Sequence, residues 1–429
     1  MREMKGSGIE WIGQIPKGWE LRRAKTLFTQ RNSKGNGIEV LLSPTQKYGV
    51  VPQSQLEGVV QVKEDTDLQM FKTVHKGDFV ISLRSFQGGF EYSLYEGVCS
   101  PAYQVFYPTS PICDTYYRYL FKSQSFISKM NNLTMGIREG KNIQYVDFAN
   151  SQIPVPPLAE QERIAAFLDA ECAEIDAVLE KTRASIEEYK KLKQAVITQA
   201  VTKGIRGDRP MKDSGIEWIG DIPGSWEVSS VRYIGQLQNG ISKGGEFFGK
   251  GFPFVSYGDV YKNYELPHSV SGLIDTTEDE RATYSVEYGD IFFTRTSETI
   301  EEVGFSCVCK RSIPNATFAG FIIRLRPFCA DEKILTDYAK YYFRGEHIRA
   351  YLVKEMNLVT RASLGQTLLK GMSVIVPPKS AQKEIAEYLD DKCADIDALV
   401  AKKQQYLTEI ENYKKSLIYE YVTGKKEVV

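Results

Sequence analysis

With 429 residues, 42% of them hydrophobic and 25% charged, the chain has room for two or three domains with cores of their own. The 54 Lys plus Arg and 55 Asp plus Glu give a net charge of -1, which excludes a protein that blankets a polyanion unaided and leaves basic patches as its means of meeting one. Seven scattered cysteines form no disulfide framework, no run is long and apolar enough to cross a bilayer, and MREMKGSGIEWIG lacks the apolar centre of a signal peptide. A reduced, cytoplasmic protein with no membrane partner is expected.

The first predicted element is a Gly/Pro-punctuated motif, SGIEWIGQIPKGWE at Ser7 to Glu20. It recurs as SGIEWIGDIPGSWE at Ser214 to Glu227, identical at eleven of fourteen positions and displaced by 207 residues, 214 against 7. All four tryptophans, Trp11, Trp19, Trp218 and Trp226, lie in these copies. Because a tryptophan buries so much apolar area, the copies are expected to be clamps that dock each half of the chain onto the pair of long helices described below, with a local mini-core as the alternative.

Leu21 to Gln152 then alternate β-branched and aromatic residues with Gly, Pro, Asn and Asp breaks, a pattern of short strands in an α+β domain. Within it, His75-Lys76-Gly77-Asp78-Phe79-Val80-Ile81-Ser82-Leu83-Arg84 predicts a Gly-Asp turn, a buried strand and an arginine-bearing end, and Glu287 to Thr296 repeats that order. Helices are predicted over Asp114 to Met130 and Asp331 to Met356, with aromatic faces such as Tyr116, Tyr119, Leu120 and Tyr338, Tyr341, Tyr342. Each region closes on a polar loop, Gly136 to Gln144 or Thr360 to Gln366, and a short strand.

A long helix follows. After Pro156-Pro157, which stops whatever precedes it, no proline or glycine appears before Gly204. Leu168, Cys172, Ile175, Leu179, Thr182, Ile186, Tyr189, Val196 and Ala200 recur in steps of four and three, interrupted only by Lys193. Such a seam demands a partner helix, and Val374 to Thr423 supplies it at an offset of 221, 377 against 156. Its seam is Leu389, Cys393, Ile396, Val400, Leu407, Ile410, Leu417 and Tyr421, with Lys403 and Lys414 as polar interruptions. Each helix should run about 60 Å at roughly 1.5 Å per residue. Lys403 and Lys414 in the seam, and Lys379-Ser380-Ala381 standing where the first copy has Leu158-Ala159-Glu160, are expected to make the second helix less regular than the first.

The chain is therefore a tandem duplication of an α+β fold, two globular domains joined by two long helices in an antiparallel coiled coil. Its expected parts are clamp and domain 1–152, helix 153–203, linker 204–213, clamp and domain 214–373, and helix with tail 374–429. The tail from Gly424 is expected to return to the first motif.

Catalytic constellations are wanting. His75, His268 and His347 each stand alone in sequence, and Cys307-Val308-Cys309 has the wrong spacing for zinc. Gly244 to Gly251 has the spacing of a phosphate-cradling loop, but glycine replaces the Ser or Thr that holds the metal and a strand pattern follows. Glu139-Gly140-Lys141 has no Pro-Asp pair before it to complete a nuclease motif. No metal, cofactor or catalytic residue is expected.

Groove-reading chemistry is better represented, since arginine can read guanine, and Asn or Gln adenine, with paired hydrogen bonds. The first half offers Lys47, Tyr48, Arg84, Gln87, Arg138, Lys141, Asn142 and Gln144. The second offers Lys243, Lys250, Tyr257, Arg295, Thr296, Arg361, Ser363 and Gln366. Any one of these read alone is a solvated loop residue; as a duplicated set they carry more weight.

The alternation of both openings, both Gly-Asp strands, the IPVPPLAEQ helix entry and both long helices resembles the specificity subunit of Type I restriction-modification enzymes. The resemblance implies two target-recognition domains, each reading one part of a split, asymmetric site in double-stranded DNA, with the helices as spacer. It implies a chain that is not catalytic by itself. Two modification subunits would bring S-adenosylmethionine and adenine methylation, and restriction subunits would bring ATP, Mg and DNA cleavage. A coiled-coil assembly scaffold that reads no DNA is the alternative.

Overall fold

Apolar strands covered by aromatic helices build one arrangement twice. The computed structural model describes residues 2–35, 40–56, 68–82, 90–134, 143–207, 209–297, 303–355 and 362–428. Contacts divide the chain into a first unit, Met1–Arg183 with Gln405–Val429, and a second, Ala184–Gln404.

In the first unit, a four-stranded antiparallel sheet runs in the order Phe28–Arg31, Gln104–Pro108, Phe79–Ile81, Phe90–Tyr92. Helices α1 (Asp114–Lys122), α2 (Gln124–Thr134) and α3 (Tyr145–Asn150) accompany it. Phe28 is the hub of the core, its ring centroid 5.9 Å from Phe79, 5.5 Å from Phe106 and 5.5 Å from Phe121. Such pairs add about 0.5–1.5 kcal/mol each beyond the area they bury. The helix predicted over Asp114 to Met130 is two helices, because Ser123 is extended (φ -67, ψ 136).

Helix α4 (Leu158–Lys203) begins just after Pro156-Pro157, and the residues before it, Gln152–Val155, pair with Glu20–Arg23 instead. In the second unit the sheet order is Gly235–Asn239, Ile322–Pro327, Ile291–Thr294, Ser306–Val308. The helices are α5 (Tyr257–Lys262), α6 (Glu278–Thr283), α7 (Thr336–Tyr342), α8 (Glu346–Glu355) and α9 (Gln366–Gly371), and α10 (Lys379–Val422) follows. Here too the predicted Asp331–Met356 helix is shorter and broken. Asp331 is left-handed (φ 56) and accepts from Thr336 N at 2.6 Å, so the helix starts five residues later.

Each unit holds one end of each long helix, packed antiparallel along the predicted seam. Leu168, Leu179, Ile186, Leu389, Leu407 and Leu417 are buried, as is Ile175, while Tyr189, Val196, Val400 and Ile410 are partly covered. The lysine interruptions do not make the second helix less regular than the first. Lys193 Nζ meets Asp397 at 2.6 Å and Lys414 meets Asp176 at 2.6 Å, the same pair under the offset of 221, with the stems lying along the seam. Lys403 Nζ stands 5.6 Å over the Tyr189 ring.

The clamps are β-hairpins that start earlier than the quoted motif. Met4–Gly6 pairs with Gln14–Pro16, and Met211–Asp213, read above as linker, pairs with Asp221–Pro223. Trp19 and Trp226 are fully buried, while Trp11 packs on Phe126 of α2 and Trp218 on Tyr351 of α8. Each long helix ends on a left-handed glycine pressed to a tryptophan. A Cβ on Gly424 (φ +70) would lie 2.5 Å from Pro16 and 2.9 Å from Trp19; on Gly204 (φ +78) it would lie 3.3 Å from Trp226. The globular parts grip the same helix ends. Tyr116 Oη donates to Val422 O at 2.7 Å, and Tyr338 Oη to Val201 O at 3.1 Å.

Candidate nucleic-acid interface

The Gly-Asp turn fixes one end of the central strand in each sheet. Asp78, 2% exposed, accepts from His75 N at 2.8 Å and from Arg31 through both oxygens, at 2.7 and 3.0 Å. Asp290, fully buried, accepts from Glu287 N at 2.8 Å and from Arg326 at 2.7 and 2.6 Å. Burial pushes the Asp290 carboxyl up, and the Arg326 guanidinium and the Glu287 N–H oppose it. With that end anchored and Phe79–Ile81 or Ile291–Thr294 buried, the opposite strand end is where polar groups collect.

In the second unit that end brings four predicted residues together. Arg295 directly follows the strand, its N–H donating to Phe321 O at 2.8 Å and its carbonyl accepting from Leu364 N at 2.7 Å. Thr296 pairs with Ser363 in a short ladder, and Gln366 opens α9 with its amide 2.9 Å from that of Asn239, the last residue of the sheet's first strand. Phe321, 61% exposed, stands beside Arg295. In the first unit the corresponding end carries linked glutamines. Gln144, which caps α3, accepts from Gln104 Nε2 at 2.6 Å, and Gln30 Nε2 reaches Gln104 at 3.4 Å. Asn239, Phe321, Gln30 and Gln104 were missed in the sequence because each sits inside a strand pattern; alignment of the two copies by strand register would have flagged them.

The other candidates scatter. Lys47 and Tyr48 form the tip of the hairpin Leu42–Thr45/Gly49–Pro52, with Nζ 4.8 Å from the ring and Tyr48 60% exposed. Lys250 is exposed on a bulge between Phe248 and Phe252, both opposite Ile274, where Gly249 and Gly251 take positive φ. A strand, Phe248–Val255, occupies the place where a phosphate loop needs a helix. Tyr257 opens α5, stacked on Tyr261 at 5.9 Å. Lys243 is spoken for, its Nζ donating to Glu280 at 2.6 Å and to Asp275 O at 2.9 Å, so it ties α6 down rather than facing a ligand. Arg84, Gln87, Arg138, Lys141, Asn142 and Arg361 lie outside the described residues.

Among the described residues no group of three or more His, Cys, Asp or Glu is placed to hold a metal ion, and no helix is long and apolar enough to cross a membrane. Burial pushes the Cys309 thiol up to about 12 and Cys307 higher, which leaves both poor nucleophiles. Burial likewise pushes Glu91 to about 7 against its Lys122 partner, and holds His347 down to about 3.

The family model of the type I restriction modification DNA specificity domain matches the chain twice, at residues 16–188 and 223–411. The chain is similar to the StySPI specificity subunit of Salmonella potsdam, 25% identical over 319 residues that cover 74% of this chain and 66% of that protein. It is 25% identical over 324 residues to the EcoKI specificity subunit of Escherichia coli K12, covering 74% and 67%. The chain thus spans about two thirds of the length of these relatives. Among solved structures, a chain from a type I R-M system, studied for complex assembly and conformational transition, matches with a TM-score of 0.71 at 17% identity over 96% of this chain and 99% of that one, a likeness of fold.

Proposed function

The chain belongs to the family of type I restriction modification DNA specificity domains, and from that premise we propose that it is the non-catalytic subunit giving a type I restriction-modification complex its DNA sequence specificity. Each globular part, within 1–152 and 214–373, reads one part of a split, asymmetric site, and the helices of 153–203 and 374–429 act as spacer. The observation that carries this reading is the polar sheet end built twice from different residues. Arg295, Thr296, Ser363 and Gln366 stand in one unit and Gln104 and Gln144 in the other, on frameworks that each anchor the central strand through a buried aspartate paired with an arginine. A repeated framework with diverged tips is what two different half-sites require, because bidentate Arg and amide contacts distinguish base pairs in the major groove.

The duplication offers two equivalent faces, which suits two modification subunits carrying S-adenosylmethionine. Restriction subunits with ATP and Mg complete the assembly. Partners that carry cations of their own would also reconcile DNA binding with a net charge of -1.

Co-expression with a cognate modification subunit, followed by mapping of methylated adenines over a host genome, tests the proposal. The expected result is a split, asymmetric motif. A complex that forms and methylates no defined motif would overturn it in favour of a scaffold.

A further inference from the structure

In the second unit the strand Ile322–Pro327 is flanked by two phenylalanines that the core does not take. Phe321 before it is 61% exposed and Phe328 after it 63%. They mark opposite ends of the sheet, Phe328 the end that Asp290 anchors and Phe321 the end where Arg295, Asn239 and Gln366 gather. Exposure alone assigns nothing, since single apolar side chains are ordinary on a surface. What sets Phe321 apart is how firmly it is presented.

It lies in a tight turn, Ala319 to Ile322, closed by Ile322 N donating to Ala319 O at 3.0 Å. Arg295 N donates to Phe321 O at 2.8 Å, Ile241 N to Phe318 O at 2.9 Å and Gly240 N to Ile322 O at 3.1 Å. The segments lie so close that a Cβ on Gly240 would collide with Ala319 O, and one on Gly320 with Ser242 Oγ. The backbone on both sides of the ring is thus fixed by the same segments that carry Asn239 and Arg295. An aromatic ring held this way loses little conformational entropy on meeting a partner.

The first unit contains the same turn without the ring. Pro108 lies opposite Phe28 and Pro327 opposite Gly235, and Gly235 is Phe28 displaced by 207 (235 against 28), so these strands correspond at an offset of 219 (327 against 108). Ser100 to Tyr103 is closed by Tyr103 N donating to Ser100 O at 3.0 Å, and residue 102, displaced by 219 from Phe321, is alanine. The turn therefore forms without a phenylalanine.

An aromatic ring that the fold does not require, fixed among an arginine and two amides, suits the apolar group that a base pair presents in the major groove, the C5 methyl of thymine. Resting on the DNA-reading role of the second unit, we propose that Phe321 is a specificity-determining residue that contacts a thymine methyl beside the bases met by Arg295, Asn239 and Gln366.

The test maps methylated adenines for the full chain in complex with a modification subunit, as wild type, Phe321→Ala, Phe321→Leu and Phe328→Ala. Phe321→Ala should relax one thymine position in one part of the split motif, Phe321→Leu should retain it, and Phe328→Ala should leave the whole motif intact. The wild-type complex is then titrated with duplexes in which each thymine of the motif, on either strand, is replaced in turn by deoxyuridine, which lacks only the methyl. One replacement should weaken binding about fourfold, the scale of a single buried methyl group, and Phe321→Ala should bind that duplex as tightly as its thymine version. A thymine preference kept by Phe321→Ala, or relaxed equally by Phe328→Ala, overturns the assignment while the wild-type motif leaves DNA reading standing. Absence of a motif in wild type overturns both. The uridine scan of wild type decides even where Phe321→Ala fails to fold, because a complex indifferent to every replacement has no methyl contact. A motif relaxed by Phe321→Ala without a uridine-sensitive thymine also overturns the contact, and makes the ring a wedge between base pairs.

Discussion

Trp19 and Trp226 are equally buried and open equivalent clamps, yet the first hands its Nε1 to Glu160 at 2.9 Å and the second has no partner. One residue further along, the helices agree again. Gln161 donates to Pro156 O and accepts from Cys113 N at 2.9 Å, and Gln382 donates to Pro377 O and accepts from Leu335 N at 2.7 Å. The glutamine is retained because it satisfies backbone groups that every proline step leaves open, and these do not change when side chains do. The carboxylate is an addition to that framework, so one copy can lack it and still fold. The difference teaches where the duplication is obligatory and where it is free to specialise.

The largest expected effect tests the obligatory part. Gly424→Val forces a β-branched residue to positive φ and into Pro16 and Trp19, and should cost the first unit about 3 kcal/mol or more. Gly204→Val meets Trp226 at 3.3 Å and the end of the Arg209 side chain at 3.4 Å, and should cost the second unit about 1–2 kcal/mol less than that. Hydrogen exchange read separately for each clamp measures both. Next in size is the indole itself. Trp19→Phe breaks a hydrogen bond to a charged group and should cost about 2 kcal/mol. Trp226→Phe removes an unmatched donor and should cost under about 1 kcal/mol; equal costs would mean that the two clamps are bonded alike.

Acidification should move the units in opposite directions. Glu91 in the first unit, held by Lys122 at 2.5 Å, is raised by burial to about 7 from an ordinary 4.5, so the folded state binds its proton first. Its contribution therefore grows as pH falls through 7 and is lost as pH rises from about 4.5 to about 7. His347 in the second unit is lowered to about 3 from 6.5, so the unfolded state binds its proton first and stability is lost as pH falls below 6.5. Between pH 8 and 5.5 each contribution amounts to about 1–2 kcal/mol. The first unit should gain and the second lose protection against exchange, and Glu91→Gln should remove the gain.

Much of this was legible in the sequence, for physical reasons. Heptads declare their own partners, so the seam could be read from Leu168 to Leu417. The purpose of its lysines could not, because Asp397 and Asp176 become neighbours of Lys193 and Lys414 only once the helices pack antiparallel. Asp78 and Asp290 were legible as turn residues, but their arginines come from different strands, Arg31 from the first of one sheet and Arg326 from the second of the other. Composition cannot see such bonds. Lys243 read as a free cation for the same reason, since Glu280 lies 37 residues on.

The smallest effect concerns the exposed lysines that the two units present, Lys47 on its hairpin and Lys250 on its bulge. Each side chain is available to a phosphate and neither is built into a base-reading contact. Lys47→Ala and Lys250→Ala should therefore weaken binding of the assembled complex to all sequences alike, each lowering the salt-dependence slope by about one. Lys243→Ala should leave that slope unchanged, because its charge is already matched by Glu280. The slope is measured by titrating DNA at several salt concentrations. A drop for Lys250 without one for Lys47 would mean that the bulge of the second unit meets the backbone and the hairpin tip of the first does not.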